Sequence, residues 1–223
     1  MRRMHITRWL AQGSFLFTLV LGVISAREVA GAEETSATPP AKTAKVAGLK
    51  GRAQLSRDSG STFVPLLTGT EVRIGDVVRT AVASALDLDL GVGPTVRLTE
   101  STLVAVDKIT ELGTNNGPEI ELSLRAGEVL GRLKEGVVSR LEIKTPVGIA
   151  QILHGQFRVQ SRGYVVVLQG KTLFAHVPPG GQPAAHTLNA PPACYFTPLA
   201  GVRPAPRELS REVSNQLKAK LEK

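Results

Sequence analysis

The 223-residue sequence has one cysteine, few aromatic residues (4%) and no apolar run long enough to cross a membrane. Each shortage excludes something. With Cys194 alone, no disulfide can form within the chain even in an oxidising compartment, so stability has to come from packing. Cys194 also stands too late to carry the lipid that follows a lipoprotein signal, and beside Tyr195 and Phe196 it reads as a small apolar residue tucked beneath an aromatic pair. So few rings imply a core of Val, Leu, Ile and Ala, and little surface on which bases could stack.

Catalytic and metal-binding patterns are scarce too. The sequence has no Gly-x-Ser-x-Gly elbow, no phosphate-cradling Gly-rich loop with its Lys, and no Cys/His nucleophile arrangement. His154, His176 and His186 stand at no metal-ligand spacing from a second His or Cys. Asp87 and Asp89 resemble a paired-carboxylate or Ca²⁺ site only until alternation is considered, which puts both on the solvent face of one strand. Arg57-Asp58-Ser59-Gly60-Ser61 has the composition of a turn, and no base accompanies Ser59. The expectation is a chain that is not an enzyme and uses no cofactor or metal.

The formal charge of +8 is partly a property of the leader. Residues 1–32 hold four basic side chains and one acidic, and the tail from Arg203 to Lys223 holds six and three. Residues 33–202 then carry 17 basic against 15 acidic, which is no footprint for nucleic acid. Arg2, Arg3 and Arg8 precede an apolar stretch densest from Phe15 to Ile24, and Ala30-Gly31-Ala32 supplies the small residues a signal peptidase reads. This layout predicts a secretory signal over 1–32, with Glu33 as the new N-terminus. Gln12, Gly13 and Ser14 interrupt the run and leave about 12 apolar residues where a span needs about 20. No membrane span is therefore expected after cleavage, and the destination is the periplasm or the exterior.

Residues 33–47 are rich in Thr, Ala, Pro and Lys without apolar period and read as a flexible linker. Over 48–175, short alternating segments punctuated by glycine predict an all-β domain, a compact β-roll or sandwich-like fold. In Ser84–Leu90, Leu86, Leu88 and Leu90 share the inner face; Ile120, Leu122 and Leu124 repeat the device, with Glu119, Glu121 and Ser123 facing out. Leu141 and Ile143 point inward between Arg140, Glu142 and Lys144. Tyr164–Leu168 is apolar on both faces and should be covered on both sides. Residues 176–206 contain eight prolines, which remove donors and should prevent regular pairing, leaving an extended segment. Over 207–223, Leu209, Val213, Leu217 and Leu221 recur every four residues as the stripe of an amphipathic helix, with Glu208 early and Lys218, Lys220 and Lys223 late. Such a helix is marginal alone, so its stripe must dock on the β domain, on a second copy or on a partner.

Gly75-Asp76-Val77-Val78-Arg79-Thr80, the strand Ser84–Leu90 and Val96-Arg97-Leu98 together resemble the FecR domain family of bacterial envelope proteins. The resemblance continues in order through Leu122-Ser123-Leu124 with Gly127, Thr145-Pro146-Val147-Gly148, Gly155-Gln156-Phe157 and Val165 to Gly170. The residues carrying it read as fold-specifying: Gly75 takes a positive φ, Asp76 accepts a backbone hydrogen bond two residues on, Pro146 ends a strand and Gly148 permits the reversal. His154-Gly155-Gln156 departs from the family's usual Arg-Gly-Thr. The resemblance implies a signalling or protein-interaction module of the envelope. The family's best-known members carry a cytoplasmic anti-sigma segment and a membrane span before this domain, and here a signal peptide stands in their place. The expected partner is an envelope protein or a second copy, bound through exposed strand edges and the helix stripe. The alternative is a structural or carbohydrate-binding component that meets an envelope polysaccharide.

Overall fold

The computed structural model describes residues 43–90, 94–112, 116–134, 140–177, 182–191, 193–198 and 205–222, all within the unit Pro39–Lys223. The leader over 1–32 and the linker up to residue 42 lie outside them. The strands are β1 (Ala44–Lys50), β2 (Ala53–Ser56), β3 (Val64–Pro65), β4 (Glu71–Val72), β5 (Val77–Thr80), β6 (Ala85–Asp89), β7 (Pro94–Leu98) and β8 (Leu103–Leu112). There follow β9 (Asn116–Ala126), β10 (Glu128–Leu133), β11 (Arg140–Thr145), β12 (Gly148–Gln160), β13 (Val165–His176), β14 (Ala184–Ala190), β15 (Cys194–Phe196), β16 (Arg207–Glu208) and one helix, α1 (Arg211–Glu222).

All the described strands belong to one sheet, whose main path is ordered β3-β2-β5-β8-β9-β11-β12-β10-β7-β6-β1-β4, with β13 to β16 branching from β12. It curls into a half-barrel whose end strands, β3 and β4, are joined by residues 66–70. That connection is tied back to both ends: Leu66 N donates to Ala53 O at 2.9 Å and Gly69 N to Val46 O at 2.8 Å. Strand β12 is the spine. Its first half pairs with β11 and its second with β10, while β13 runs antiparallel along its other side. At the changeover Gly155 (φ 104°) lies opposite Gly170 (φ 88°). A Cβ on Gly155 would fall 1.8 Å from Gln169 O, and one on Gly170 would fall 2.2 Å from His154 O. Only glycine admits both the conformation and the approach.

Alternation sorts the side chains as expected. Leu86, Leu88, Leu90, Ile120, Leu122, Leu124 and Ile143 are buried in the main core with Phe157, Phe174 and Phe196. On the opposite face, the row Glu119, Glu121 and Ser123 of β9 lies in parallel register with the row Arg140, Glu142 and Lys144 of β11, Arg140 beside Glu119, Glu142 beside Glu121 and Lys144 beside Ser123. Lys144 Nζ reaches Glu121 at 2.5 Å and Lys108 Nζ reaches Glu119 at 2.8 Å. Tyr164–Leu168 is covered on both sides, as a segment apolar on both faces should be. Val165 and Val167 enter the main core, whereas Val166 and Leu168 form a second cluster with Leu217 of α1.

Three expectations are corrected. The sheet begins at Ala44, four residues before Gly48, because Ala44 and Val46 already alternate inward. Residues 176–206 are not free of regular pairing: β14 pairs with β13 over seven positions and β15 with β13 over three. Pro183 and Pro191 flank β14 without entering it, so the donors they remove are not needed for the ladder. The helix starts at Arg211 rather than Arg207, since Arg207 and Glu208 pair with Tyr195 and Cys194 as β16. Ser210 is its N-cap, with its hydroxyl accepting from Val213 N at 3.4 Å.

Candidate interaction groove

Strand β5 is launched by Gly75, which takes φ 89° while its N–H donates to Val106 O at 2.8 Å. Asp76 Oδ2 accepts from Arg73 N at 2.8 Å and from Arg57 Nη1 at 3.1 Å. The carboxylate therefore turns back three residues rather than forward two, closing the turn that precedes the strand. Along β5, Val77 and Val78 are buried, Arg79 is exposed and Thr80 is buried again. Thr80 Oγ1 donates to Thr99 O at 2.5 Å and accepts from Thr102 N at 3.0 Å, fastening the end of β5 to the next turn. Arg79 is held by its neighbours: Nε donates to Gln54 Oε1 at 2.8 Å, and the guanidinium lies 3.8 Å from the centre of the Phe63 ring.

Beside Arg79 the corner formed by β2, β3 and the β1–β2 turn opens into a groove of about 560 Å³. Leu49, Pro65, Leu66, Leu67 and Ala81 supply its apolar walls, and Arg52 and Arg79 its charge. Among the described residues no acidic side chain lines it. Leu66 is buried beneath it while Leu67 is 70% exposed, and Val64 (50%) is exposed next to Pro65 in β3. One exposed leucine needs no explanation, but Leu67 beside exposed Val64 and Pro65 makes this corner a candidate contact surface. The corner is also stiff: Arg52 N donates to Ser84 Oγ at 2.9 Å and Ala81 N to Arg52 O at 2.9 Å. Apolar walls with two cations suit an extended segment that carries an aliphatic side chain and a carboxylate.

The residues singled out from sequence do not converge. Arg79 and Thr80 line the groove, and Gly75 and Asp76 build the turn before it. Thr145, Pro146 and Gly148 form the β11–β12 turn, where Thr145 Oγ1 donates to Gly148 O at 2.9 Å. Gly155 and Gly170 make the β12–β13 crossing, and Phe157 fills the core. The helix stripe is turned toward the chain's own sheet. Leu217 is buried on Val166 and Leu168, Leu209 and Leu221 are half-buried in the same cluster, and Val213 is 38% exposed. The helix end is held from β7: Arg97 Nη1 donates to Lys220 O at 2.8 Å, while Arg97 grips Asp87 through bonds of 2.6 and 3.0 Å. Asp87 is thus a partner of Arg97 rather than a free solvent-facing acid.

Cys194 is buried, with Sγ 3.2 Å from Asn189 O, and burial pushes its thiol above the ordinary value. His176 Nδ1 lies 3.0 Å from Val147 O, and the His186 ring stands 4.7 Å from that of Phe196. Burial, with His176 nearby, lowers the His186 pKa. Among the described residues no three His, Cys, Asp or Glu side chains are grouped to hold a metal. The apolar half of the groove was missed from sequence, although Val64-Pro65-Leu66-Leu67 carried a signal. Two adjacent leucines in an extended segment cannot both face the core.

Residues 76–172 match the protein family described as FecR protein. No curated protein matches the chain. Among solved structures, two crystal structures of a "putative anti-sigma factor" from Parabacteroides distasonis are similar. They share 15% and 13% identity and cover 65% of this chain, with TM-scores of 0.47 and 0.48. The chain spans 64% and 63% of theirs, just under two thirds.

Proposed function

We propose that this chain, whose residues 76–172 are a FecR domain, is an exported, non-enzymatic interaction module of the bacterial cell envelope. It receives an extended acidic and aliphatic segment of another envelope protein in the groove beside Arg79. The observation that carries this reading is the pairing of exposed aliphatic side chains, Leu67 foremost, with two arginines and, among the described residues, no acid. Desolvating the aliphatic walls supplies the affinity, and the arginines choose a carboxylate-bearing partner and speed the encounter. The basic and apolar leader with Ala30-Gly31-Ala32 supports export, and among the described residues no helix is long and apolar enough to cross a membrane. The fastened turns around β5 favour a preformed site over one that folds on binding.

Titration with a short extended peptide of alternating Asp and Leu tests this, against a counterpart in which Lys replaces Asp. Binding of the acidic peptide should be salt-sensitive and should be lost in both Leu67→Asp and Arg79→Ala. Equal binding of the two peptides, or no effect of either substitution, would overturn the reading. Retention on envelope polysaccharide, unaffected by either substitution, would favour the structural or carbohydrate-binding alternative.

A further inference from the structure

The described part of the sheet ends in four strands that pair on one side only: β3, β4, β14 and β16. Three of them are protected in the usual ways. Strands β3, β4 and β16 are two residues long; β3 contains Pro65, β4 contains Glu71, and β16 consists of Arg207 and Glu208. Strand β14 is different. It runs for seven residues, Ala-Ala-His-Thr-Leu-Asn-Ala, in unbroken register with β13, and carries no proline, lysine, arginine, aspartate or glutamate. At about 3.4 Å per residue it offers roughly 24 Å of backbone donors and acceptors, and among the described residues nothing pairs with its outer side.

We infer that β14 is a homodimerisation edge, pairing antiparallel with β14 of a second copy so that the two sheets become continuous. The chemistry of the strand selects that occupant. A charged strand would find no counter-charge along Ala184–Ala190, whereas an identical neutral strand brings no like charges into opposition. A two-fold axis at the central residue, Thr187, sets Thr187 against its own copy, Ala185 against Asn189 and His186 against Leu188. Ala185, Thr187 and Asn189 are exposed, while Leu188 is buried and His186 half-buried. This register therefore keeps the polar row on one face and extends the apolar row on the other. The surface is separate from the groove beside Arg79, so either can fail without the other.

Sedimentation of the full chain should show a monomer–dimer equilibrium. Thr187→Lys and Thr187→Glu should each be monomeric, because each places like charges on the axis, and their equimolar mixture should recover the dimer. The exposed position of Thr187 leaves the fold intact, which circular dichroism checks. Should either charge variant fail to fold, Thr187→Cys gives the same answer: under oxidation it should form a disulfide-linked dimer, while Ala184→Cys should not. A wild-type chain that stays monomeric up to about 1 mM would overturn the inference. So would a dimer indifferent to folded Thr187→Lys, or an absence of cross-linking in Thr187→Cys.

Discussion

Replacing Leu217 by alanine tests whether α1 belongs to the fold or is carried by it. In the wild type this side chain is 3% exposed and rests on Val166 (0%) and Leu168 (4%), with Tyr164, Tyr195, Leu209 and Leu221 closing the margin. The substitution removes three carbons, a transfer loss of about 2.4 kcal/mol at about 0.8 kcal/mol per methylene. The site lies under a surface helix that can settle inward, so the cavity contribution is small and the total stays near 2–3 kcal/mol, low in the range for buried leucines. For a chain of this size that corresponds to a fall in Tm of roughly 4–12 °C. A 12-residue helix is marginal without its contact, so its amides should also exchange faster than those of β12 and β13. Thermal unfolding and hydrogen exchange read both effects. Val213→Ala, at a position 38% exposed, is the control and should stay within about 0.5 kcal/mol. Wild-type Tm together with wild-type exchange in Leu217→Ala would refute the docking of α1 on its own sheet.

Gly155→Ala should cost at least about 3 kcal/mol, because the new Cβ meets Gln169 O at 1.8 Å in a backbone held at φ 104°; denaturant unfolding measures it. Asp87→Asn should cost about 1 kcal/mol and loosen the last turn of α1, since it releases Arg97 from the geometry in which it reaches Lys220 O; exchange at the helix end reports the loosening. Hydrogen bonds from the Ser56 hydroxyl and the Thr62 amide lower the Asp58 pKa from 3.8 to about 2. A depressed folded value means that the stabilisation is complete above the ordinary carboxylate range and is lost as pH falls toward about 2, so an NMR titration of Asp58 should have its midpoint there.

Where the fold depends on neighbours in sequence, it was legible. The alternation of Ser84–Leu90 and of the two charged rows survives intact, because a half-buried strand leaves a period-two record whatever it pairs with. The two-faced apolar run Tyr164–Leu168 correctly announced cover on both sides; it did not announce that the second cover would be α1. The C-terminal region was misread for two physical reasons. Eight prolines over 176–206 do not prevent pairing, because Pro183 and Pro191 bracket a proline-free stretch and proline harms a ladder only where a donor is required. The apolar stripe begins at Leu209, but the helix begins after Ser210, a better N-cap than anything before Arg207. The groove was hardest to see because the β1–β2 turn, β3 and β5 meet there only after the sheet has curled.

We propose that the corner around Leu67 and Arg79 faces a protein partner in the envelope. A photo-cross-linking amino acid at position 67, in the chain expressed in its native envelope, tests it most directly. Irradiation should give a discrete adduct with an envelope protein that disappears when Arg79→Ala is added, and the same probe at exposed Ile149 should give none. Irradiation that yields no adduct from position 67, or the same adducts from both positions, would contradict the account.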